Sequence, residues 1–208
     1  MRKQERALAA VEALKTLYPD ALCSLTETDP FRLLVAVRLS AQCTDARVNM
    51  VTPALFERYP AVRDMAQADP AEVGEYIRSC GFYNTKSKDL VNMAKRIIDD
   101  FGGVVPESMD DLTSLPGVGR KTANLIRGDV YGLPAVVTDT HFIRLCNRMD
   151  FVRTRDPYKV ELAMVKLLPP AESNNFCHRA VLFGRDVCTA RKAHCERCPM
   201  AEFCPKKI

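Results

Sequence analysis

Apolar residues recur along most of the chain at the three-to-four-residue spacing of amphipathic helices. This spacing predicts a first helix over residues 5–17. Its buried face would carry Leu8, Val11, Leu14 and Leu17, which follow one another at intervals of three. We therefore expect the N-terminal segment to pack as a helix with one apolar side.

Two Asp-Pro pairs mark further helix starts. Asp29 is a predicted N-cap and Pro30 the first helical residue of a segment, FRLLVAVRLSAQ, that is apolar almost all round and should form a buried central helix. The pair Asp69–Pro70 predicts a second such start. The helix KSKDLVNMAKRIIDDF should end at the C-capping pair Gly102–Gly103. No β-branched run is long enough to predict a strand, so the predicted fold class is all-α.

The composition is that of a soluble globular protein, with 47% hydrophobic and 27% charged residues. No apolar run approaches the roughly 20 residues of a membrane helix, and the charged N-terminus lacks the apolar core of a signal peptide. We therefore expect a cytoplasmic protein with no membrane partner. The net charge of +4 permits a nucleic-acid partner without requiring one.

Cysteine is frequent, with nine residues, and the last four have the spacing C-x6-C-x2-C-x5-C. These four are Cys188, Cys195, Cys198 and Cys204. Four thiolates are the ligand set of either a structural zinc ion or a [4Fe–4S] cluster. Zinc ribbons usually bring two C-x2-C pairs, so the spacing favours the cluster. The loop between the first two cysteines carries Arg191 and Lys192, which could face a phosphate backbone or only solvent.

The stretch SLPGVGRKTANLIRG places Gly117, Gly119 and Lys121 at a predicted helix start. A nucleotide-binding P-loop is excluded, because Arg120 separates the glycine from the lysine and helices are predicted on both sides. A plain helix–helix turn explains the glycines but leaves the lysine beside the positive end of a helix. A phosphate-binding hairpin explains both features. The helix end would favour a neutral amine, so that Lys121 could act as a nucleophile.

Asp139, in the segment VVTDTHF, could supply the acid that a nucleophilic amine requires. It is equally well placed to cap the helix that starts at Thr140. The two roles are compatible if one carboxylate oxygen caps the helix while the other serves the reaction.

Taken together, LLVAVRLSAQCTD, LPGVGRKTAN, VTDTH followed by RLCNR, and the cysteine tail resemble the endonuclease III family over nearly the whole chain. These proteins are helix-hairpin-helix DNA glycosylases and AP lyases that carry an iron–sulfur cluster. The resemblance implies two helical domains flanking a DNA cleft. One is a six-helix domain, residues 23–133, with the helix-hairpin-helix at about 108–131. The other is a cluster domain made of residues 1–22 and 134–208, with the cluster loop at 188–204.

The resemblance also implies a bifunctional activity in base excision repair. Lys121 would form a Schiff base with the damaged nucleotide, Asp139 would assist departure of an oxidised pyrimidine, and β-elimination would cut the strand 3′ to the abasic site. The cysteines Cys188, Cys195, Cys198 and Cys204 would hold a [4Fe–4S] cluster. The enzyme would act as a monomer on double-stranded DNA that contains a damaged pyrimidine or an abasic site, at the nucleoid of a bacterial cytoplasm.

Gln42 matches the family residue that fills the space left by a flipped nucleotide. Phe82 stands where the family often has leucine as a second wedge, and it could equally belong to the core. Arg38 departs from the apolar residue that is commoner at its position. The remaining expected DNA contacts are Gly117, Val118, Gly119, Arg120, Thr122, His141, Arg191 and Lys192.

Three other functions are alternatives to this one. An adenine glycosylase of the same superfamily normally lacks the hairpin lysine, uses a glutamate that the segment LSAQCTD does not offer, and carries a further C-terminal domain. A thymine-mismatch glycosylase has tyrosine in place of the lysine. A non-catalytic DNA-damage-binding module would keep salt-dependent affinity for duplex DNA but would not cleave it.

Overall fold

The computed structural model describes residues 1–207, which form helices joined by short loops. In chain order the α-helices are α1 Lys3–Leu17, α2 Pro30–Leu39, α3 Asp45–Arg58, α4 Val62–Ala66, α5 Pro70–Ile77, α6 Tyr83–Phe101, α7 Met109–Ser114, α8 Arg120–Asp129, α9 Thr140–Arg148, α10 Pro157–Val165 and α11 Pro170–Asp186. Short 3-10 turns occupy Arg78–Cys80 and Cys195–Arg197. Over residues 1–207 no strand forms, which confirms the all-α prediction. None of the described helices is long and apolar enough to cross a membrane.

The predicted helix boundaries are found where local capping chemistry marks them. Asp29 and Asp69 each accept a main-chain N–H of the following turn at 2.9 Å, with proline at the start of the helix. At the other end of α6, Gly102 and Gly103 both adopt left-handed backbone conformations with φ of 62° and 87°. These observations confirm the starts of α2 and α5 and the end of α6.

The buried face of α1 differs from the predicted one. Leu8 and Leu17 are 43% and 41% exposed, so half of the predicted face is wrong. The apolar positions that α1 buries are Ala7, Ala10, Val11 and Leu14. A strict three-residue step lags behind the helical turn of about 3.6 residues, so the two ends of the predicted row rotate away from the core.

One compact unit of the structure spans Ser24–Tyr131. Its centre is α2, in which Leu34, Val35, Ala36 and Leu39 have no exposed surface, as expected for a buried central helix. Around it pack α3, α6 and α8. Within residues 24–131 there are seven helices, α2–α8. Helix α4, of five residues, packs on α6.

The other compact unit combines Met1–Cys23 with residues 132–207. Helix α11 lies at its centre and contacts both α9 and α1. Phe142 of α9 and Phe176 of α11 meet edge to face with their ring centroids 6.0 Å apart. Helix α1 is fixed by Lys15, whose ammonium lies 2.7 Å from the Glu172 carboxylate on α11.

Candidate functional site

Helices α7 and α8 form a hairpin whose tight turn is the segment LPGVG, residues 115–119. Leu115 and Val118 bury their side chains, which leaves the main chain of the turn outermost. Gly117 has a φ of 74°, a conformation that strongly favours glycine. Gly119 has a φ of −99° and needs no such freedom. A β-carbon added at Gly119 would meet no atom of residues 1–207 within 4 Å, so the glycine leaves the main chain open to a ligand.

The N-terminus of α8 is arranged to receive an anion. Gly119 is its N-cap, and no side chain within residues 1–207 caps it. The first N–H groups of a helix need partners, and the helix dipole makes an anion a favourable one. Arg120 and Lys121 are exposed on this first turn, and Thr122 is half-buried. Val118 is buried, so only its main chain can face a ligand.

Asp139 caps α9, as one of its two predicted roles requires. Its Oδ1 accepts the N–H of Phe142 at 2.7 Å, and the side chain is half-buried. The extended segment before it is anchored on α11. The N–H of Ala135 donates to Ser173 Oγ at 3.2 Å, and the N–H of Val137 donates to Cys177 Sγ at 3.3 Å. Asp139 is therefore fixed by the anchored segment before it and by its own bond to the helix after it.

His141 lies in the first turn of α9 and packs against α11. Its Nδ1 is 3.2 Å from Nη2 of Arg144. A β-carbon added at Gly184 would stand 2.9 Å from the β-carbon of His141 and 2.9 Å from Arg144 Nη2, so glycine allows this close approach. Arg144 also contacts the cysteine loop, where its Nη2 donates to the carbonyl oxygen of Cys188 at 3.0 Å. His141 is thus held by the same arginine that fixes the start of that loop.

Gln42 and Phe82 lie on two loops of the Ser24–Tyr131 unit. Both are exposed, Phe82 to 67%, so the alternative that places Phe82 in the core is wrong. Both have left-handed backbone conformations, with φ of 56° and 50°. Non-glycine residues seldom adopt this region, and such strain persists where the surrounding structure imposes it.

The four predicted cluster cysteines line one cavity in the unit that contains both termini. The atom-free space there, including the part open to solvent, is about 400 Å³. Burial raises the pKa of the Cys198 and Cys204 thiols. Across residues 1–207, no group of three or more His, Cys, Asp or Glu side chains is arranged to hold a metal ion.

Arg148 supports this loop, a role that the sequence analysis missed. Its Nη1 donates to Cys188 Sγ at 3.2 Å and to the carbonyl of Thr189 at 2.7 Å. Arg144 and Arg148 occur at i and i+4 in RLCNR, and this spacing could have placed both on one helix face. Arg191 and Lys192 are exposed, and the Lys192 main chain is tied back to Thr189 Oγ1 at 3.2 Å.

Comparison with known proteins agrees with these features. Residues 35–170 match the model of a family described as HhH-GPD superfamily base excision DNA repair protein. The chain is 45% identical over 204 residues to Endonuclease III of Synechocystis sp., covering 98% of this chain and 93% of that protein. It is 40% identical over 195 residues to Endonuclease III of Bacillus subtilis, covering 93% and 89%. It is also similar to a solved structure titled "Structure of a Trapped Endonuclease III-DNA Covalent Intermediate: Estranged-Adenine Complex", with a TM-score of 0.92 and 39% identity, covering 99% of this chain and 97% of that chain.

Proposed function

We propose roles for the residues of this site on the premise that the chain belongs to the HhH-GPD superfamily of base excision DNA repair proteins and, within it, to the endonuclease III family. The protein is a DNA glycosylase and AP lyase. Its substrates are proposed to be oxidised pyrimidines and abasic sites in duplex DNA, bound by a single copy of the chain. The enzyme would act at the nucleoid of a bacterial cytoplasm.

Lys121 is the proposed nucleophile. The lone pair of its Nζ forms a bond to C1′ of the damaged nucleotide as the C1′–N bond breaks, and the base leaves with the bonding pair and takes up a proton. Opening of the sugar ring then gives a Schiff base. Loss of a C2′ proton and of the 3′-phosphate cuts the strand by β-elimination, and water releases the lysine.

The observation that carries this role is the position of Lys121 on an uncapped helix start. Its side chain is exposed one residue after Arg120, beside the glycine turn and the first main-chain N–H groups of α8. A DNA phosphate bound by those N–H groups would fix the backbone against the hairpin without reading sequence. A phosphate at this point would also offset the dipole that otherwise disfavours a lysine there.

Asp139 is proposed to assist departure of the base, by stabilising positive charge on the sugar or by receiving a proton from Lys121. Only its Oδ1 is used for the cap. The second oxygen can therefore serve the reaction while the first keeps the carboxylate oriented.

Further contacts to DNA would come from both units. The main chain of Gly117, Val118 and Gly119, with Arg120 and Thr122, would bind a phosphate from the hairpin. His141, Arg191 and Lys192 are the proposed backbone contacts of the unit that holds the cysteines. Gln42 would fill the space of the flipped nucleotide, and the exposed ring of Phe82 would wedge between neighbouring bases.

The four cysteines fit a [4Fe–4S] cluster. All four line one cavity. Their spacing, C-x6-C-x2-C-x5-C, favours a cluster over a zinc ribbon, which usually brings two C-x2-C pairs. Cys188, Cys195, Cys198 and Cys204 would be the ligands, and Arg148 would donate to the first of them. When bound, the cluster would supply structure to the loop that carries Arg191 and Lys192.

Trapping with borohydride tests the nucleophile directly. The purified protein is mixed with a duplex that contains an abasic site, reduced, and analysed on a denaturing gel beside Lys121→Gln and the exposed-lysine control Lys95→Gln. We expect a covalent adduct with the wild type and with Lys95→Gln but not with Lys121→Gln. An adduct that survives in Lys121→Gln would reject this nucleophile.

Substrate choice is tested with three duplexes, which contain thymine glycol, adenine opposite 8-oxoguanine, or a G·T mismatch. Excision of thymine glycol alone supports the proposed substrate class. Excision of adenine or of mismatched thymine would favour the corresponding monofunctional glycosylase, and binding without excision or cleavage would favour a damage-binding module. Iron and zinc contents of the purified protein, with Cys198→Ser as the comparison, separate the cluster from a zinc site.

A further inference from the structure

Lys86, on the first turn of α6, is a lysine with only 1% of its surface exposed. Its Nζ donates to the carbonyl oxygen of Leu39 at 2.7 Å and to that of Cys80 at 2.9 Å. Burial lowers the pKa of Lys86, which reflects the cost of holding a cation away from water. Buried lysines are rare, and this one binds two main-chain groups that lie far apart in sequence.

Each of these carbonyls closes a helical segment. Leu39 is the last residue of α2, and Cys80 is the last residue of the 3-10 turn Arg78–Cys80. Carbonyls in the last turn of a helix lack intrahelical partners and form its negative end. The ammonium of Lys86 therefore satisfies two helix ends at once, which an apolar side chain of the same size could not do.

The segments that follow these carbonyls are the loops that carry Gln42 and Phe82. Gln42 lies three residues after Leu39, and Phe82 lies two residues after Cys80. Burial and, after it, the nearby Cys43 thiol raise the pKa of Cys80, so the same two loops also approach each other at these thiols. Gln42 and Phe82 both have strained, left-handed backbone conformations. Such strain persists only where the surroundings impose it, and the bonds of Lys86 are part of those surroundings.

We propose that Lys86 is a positioning residue for DNA engagement: by binding both loop starts, it makes Gln42 and Phe82 enter the duplex as one rigid unit. This inference rests on the proposed function, in which those two side chains fill and wedge the helix. Lys86 itself touches no DNA. Its effect would be to set the spacing between two groups that must act on the same base step, and displacements of about 1 Å at such groups can cost a hundredfold in rate.

The test compares Lys86→Met with Ile97→Ala. Methionine keeps most of the lysine volume but cannot donate to the carbonyls. Ile97 is fully buried three turns further along α6, so Ile97→Ala weakens the same helix away from the loops. The two variants are compared at urea concentrations that leave both equally folded. The readout is the fluorescence of 2-aminopurine placed opposite an uncleavable tetrahydrofuran abasic site, which reports unstacking when the side chains enter.

We expect Lys86→Met, at saturating protein, to lose most of the fluorescence change that the wild type and Ile97→Ala give. Its single-turnover excision of thymine glycol from duplex DNA should fall by about tenfold to a hundredfold. Borohydride trapping on a single-stranded abasic oligonucleotide, which has no duplex to wedge, should fall by less than about twofold. Equal losses of fluorescence change in Lys86→Met and Ile97→Ala, or a wild-type fluorescence change in Lys86→Met, would overturn the role of Lys86. Either result would leave the wedge roles of Gln42 and Phe82 intact. A wild-type protein that gives no fluorescence change would overturn the wedge roles and the inference with them.

A second comparison applies even where Lys86→Met does not fold. Gln42→Ala, Phe82→Ala and the double variant are measured in the same fluorescence and excision assays with Lys86 intact. Two side chains that enter as one unit should give strongly non-additive losses, the second substitution adding little to the first. Additive losses would show that the loops act separately and would overturn the proposal.

Discussion

The guanidinium of Arg38 lies directly beneath Gly117 of the hairpin turn. A β-carbon at Gly117 would stand 2.5 Å from Arg38 Nε and 2.8 Å from its Cδ. Arg38 is held in place by Asp89 of α6, whose Oδ2 accepts from Nε at 3.0 Å and from Nη2 at 2.5 Å. Arg38, one of the two residues that depart from the family pattern, is therefore the residue on which the proposed phosphate-binding turn rests.

We predict that Gly117→Ala destabilises the protein and weakens DNA binding, because the new methyl group displaces either Arg38 or the turn. The matched control is Gly103→Ala, which has the same left-handed strain, with φ of 87°, but whose new methyl group would meet no described atom within 4 Å. Strain alone should cost Gly103→Ala about 1–2 kcal/mol in urea unfolding, and Gly117→Ala should cost about 1 kcal/mol more through the added clash. Equal losses of stability and of DNA affinity in the two variants would contradict this account.

The pair Arg38–Asp89 should behave as a coupled unit. Arg38→Leu leaves the Asp89 carboxylate, only 24% exposed, without its cation and should cost about 1–3 kcal/mol. The double variant Arg38→Leu/Asp89→Asn removes both charges and should recover much of that loss. A double-mutant cycle by urea denaturation measures the coupling, and additivity within about 0.5 kcal/mol would argue against it.

Two substitutions at Asp139 should separate its helix-capping role from its proposed role in departure of the base. Asn can accept the Phe142 N–H as Asp does, so Asp139→Asn should keep the thermal midpoint while losing about a hundredfold or more in excision rate. Asp139→Ala should lose the cap as well, at about 1 kcal/mol. Thermal unfolding and single-turnover excision are measured on both. Full activity in Asp139→Asn would leave only the structural role.

The carboxylate of Glu172 should make the thermal stability of the protein depend on pH. Hydrogen bonds from Lys15 and Arg179 lower the pKa of Glu172 below its usual 4.5. The stabilising contribution is complete above about pH 4.5 and is lost as the pH falls through the lower, folded-state pKa. The wild type should therefore lose thermal stability more steeply below that pH than Glu172→Gln, which should already be weaker at neutral pH by about 1 kcal/mol.

The exposed pair Arg96–Asp100 supplies the control for this measurement. Both of its side chains are 47% exposed, so Asp100→Asn should change neutral stability by less than about 0.5 kcal/mol. An acid profile of Glu172→Gln that parallels the wild type would show that the ion pairs to Lys15 and Arg179 contribute nothing.

The parts of the fold that the sequence predicted correctly depend on neighbouring residues. Asp-Pro starts, the glycine end of α6 and the cap at Asp139 are local chemistry, readable within a few positions. The fold class follows from the same apolar spacing. Leu8 and Leu17 are exposed because a three-residue spacing does not follow the helical turn of about 3.6 residues.

The supports of the site could not be predicted, because they join residues that are distant in sequence. Nothing near Arg38 indicates that its partner is Asp89, and Cys177 gives no sign that it will bind the N–H of Val137. The burial of Lys86, by contrast, could have been predicted from the sequence. It falls on the same stripe of α6 as the buried Leu90, Ala94 and Ile97, and a lysine in a buried stripe calls for polar partners.

The division of the chain also has a consequence for biosynthesis. Residues 1–23 belong to a unit whose other part begins at Gly132, so α1 leaves the ribosome long before α11, the helix on which it packs. The unit Ser24–Tyr131 is complete in the meantime and can fold as it emerges. Helix α1 is thus made before the unit Ser24–Tyr131 but packed after it, and the cysteine loop, which follows α11, can mature only after α11 has been made.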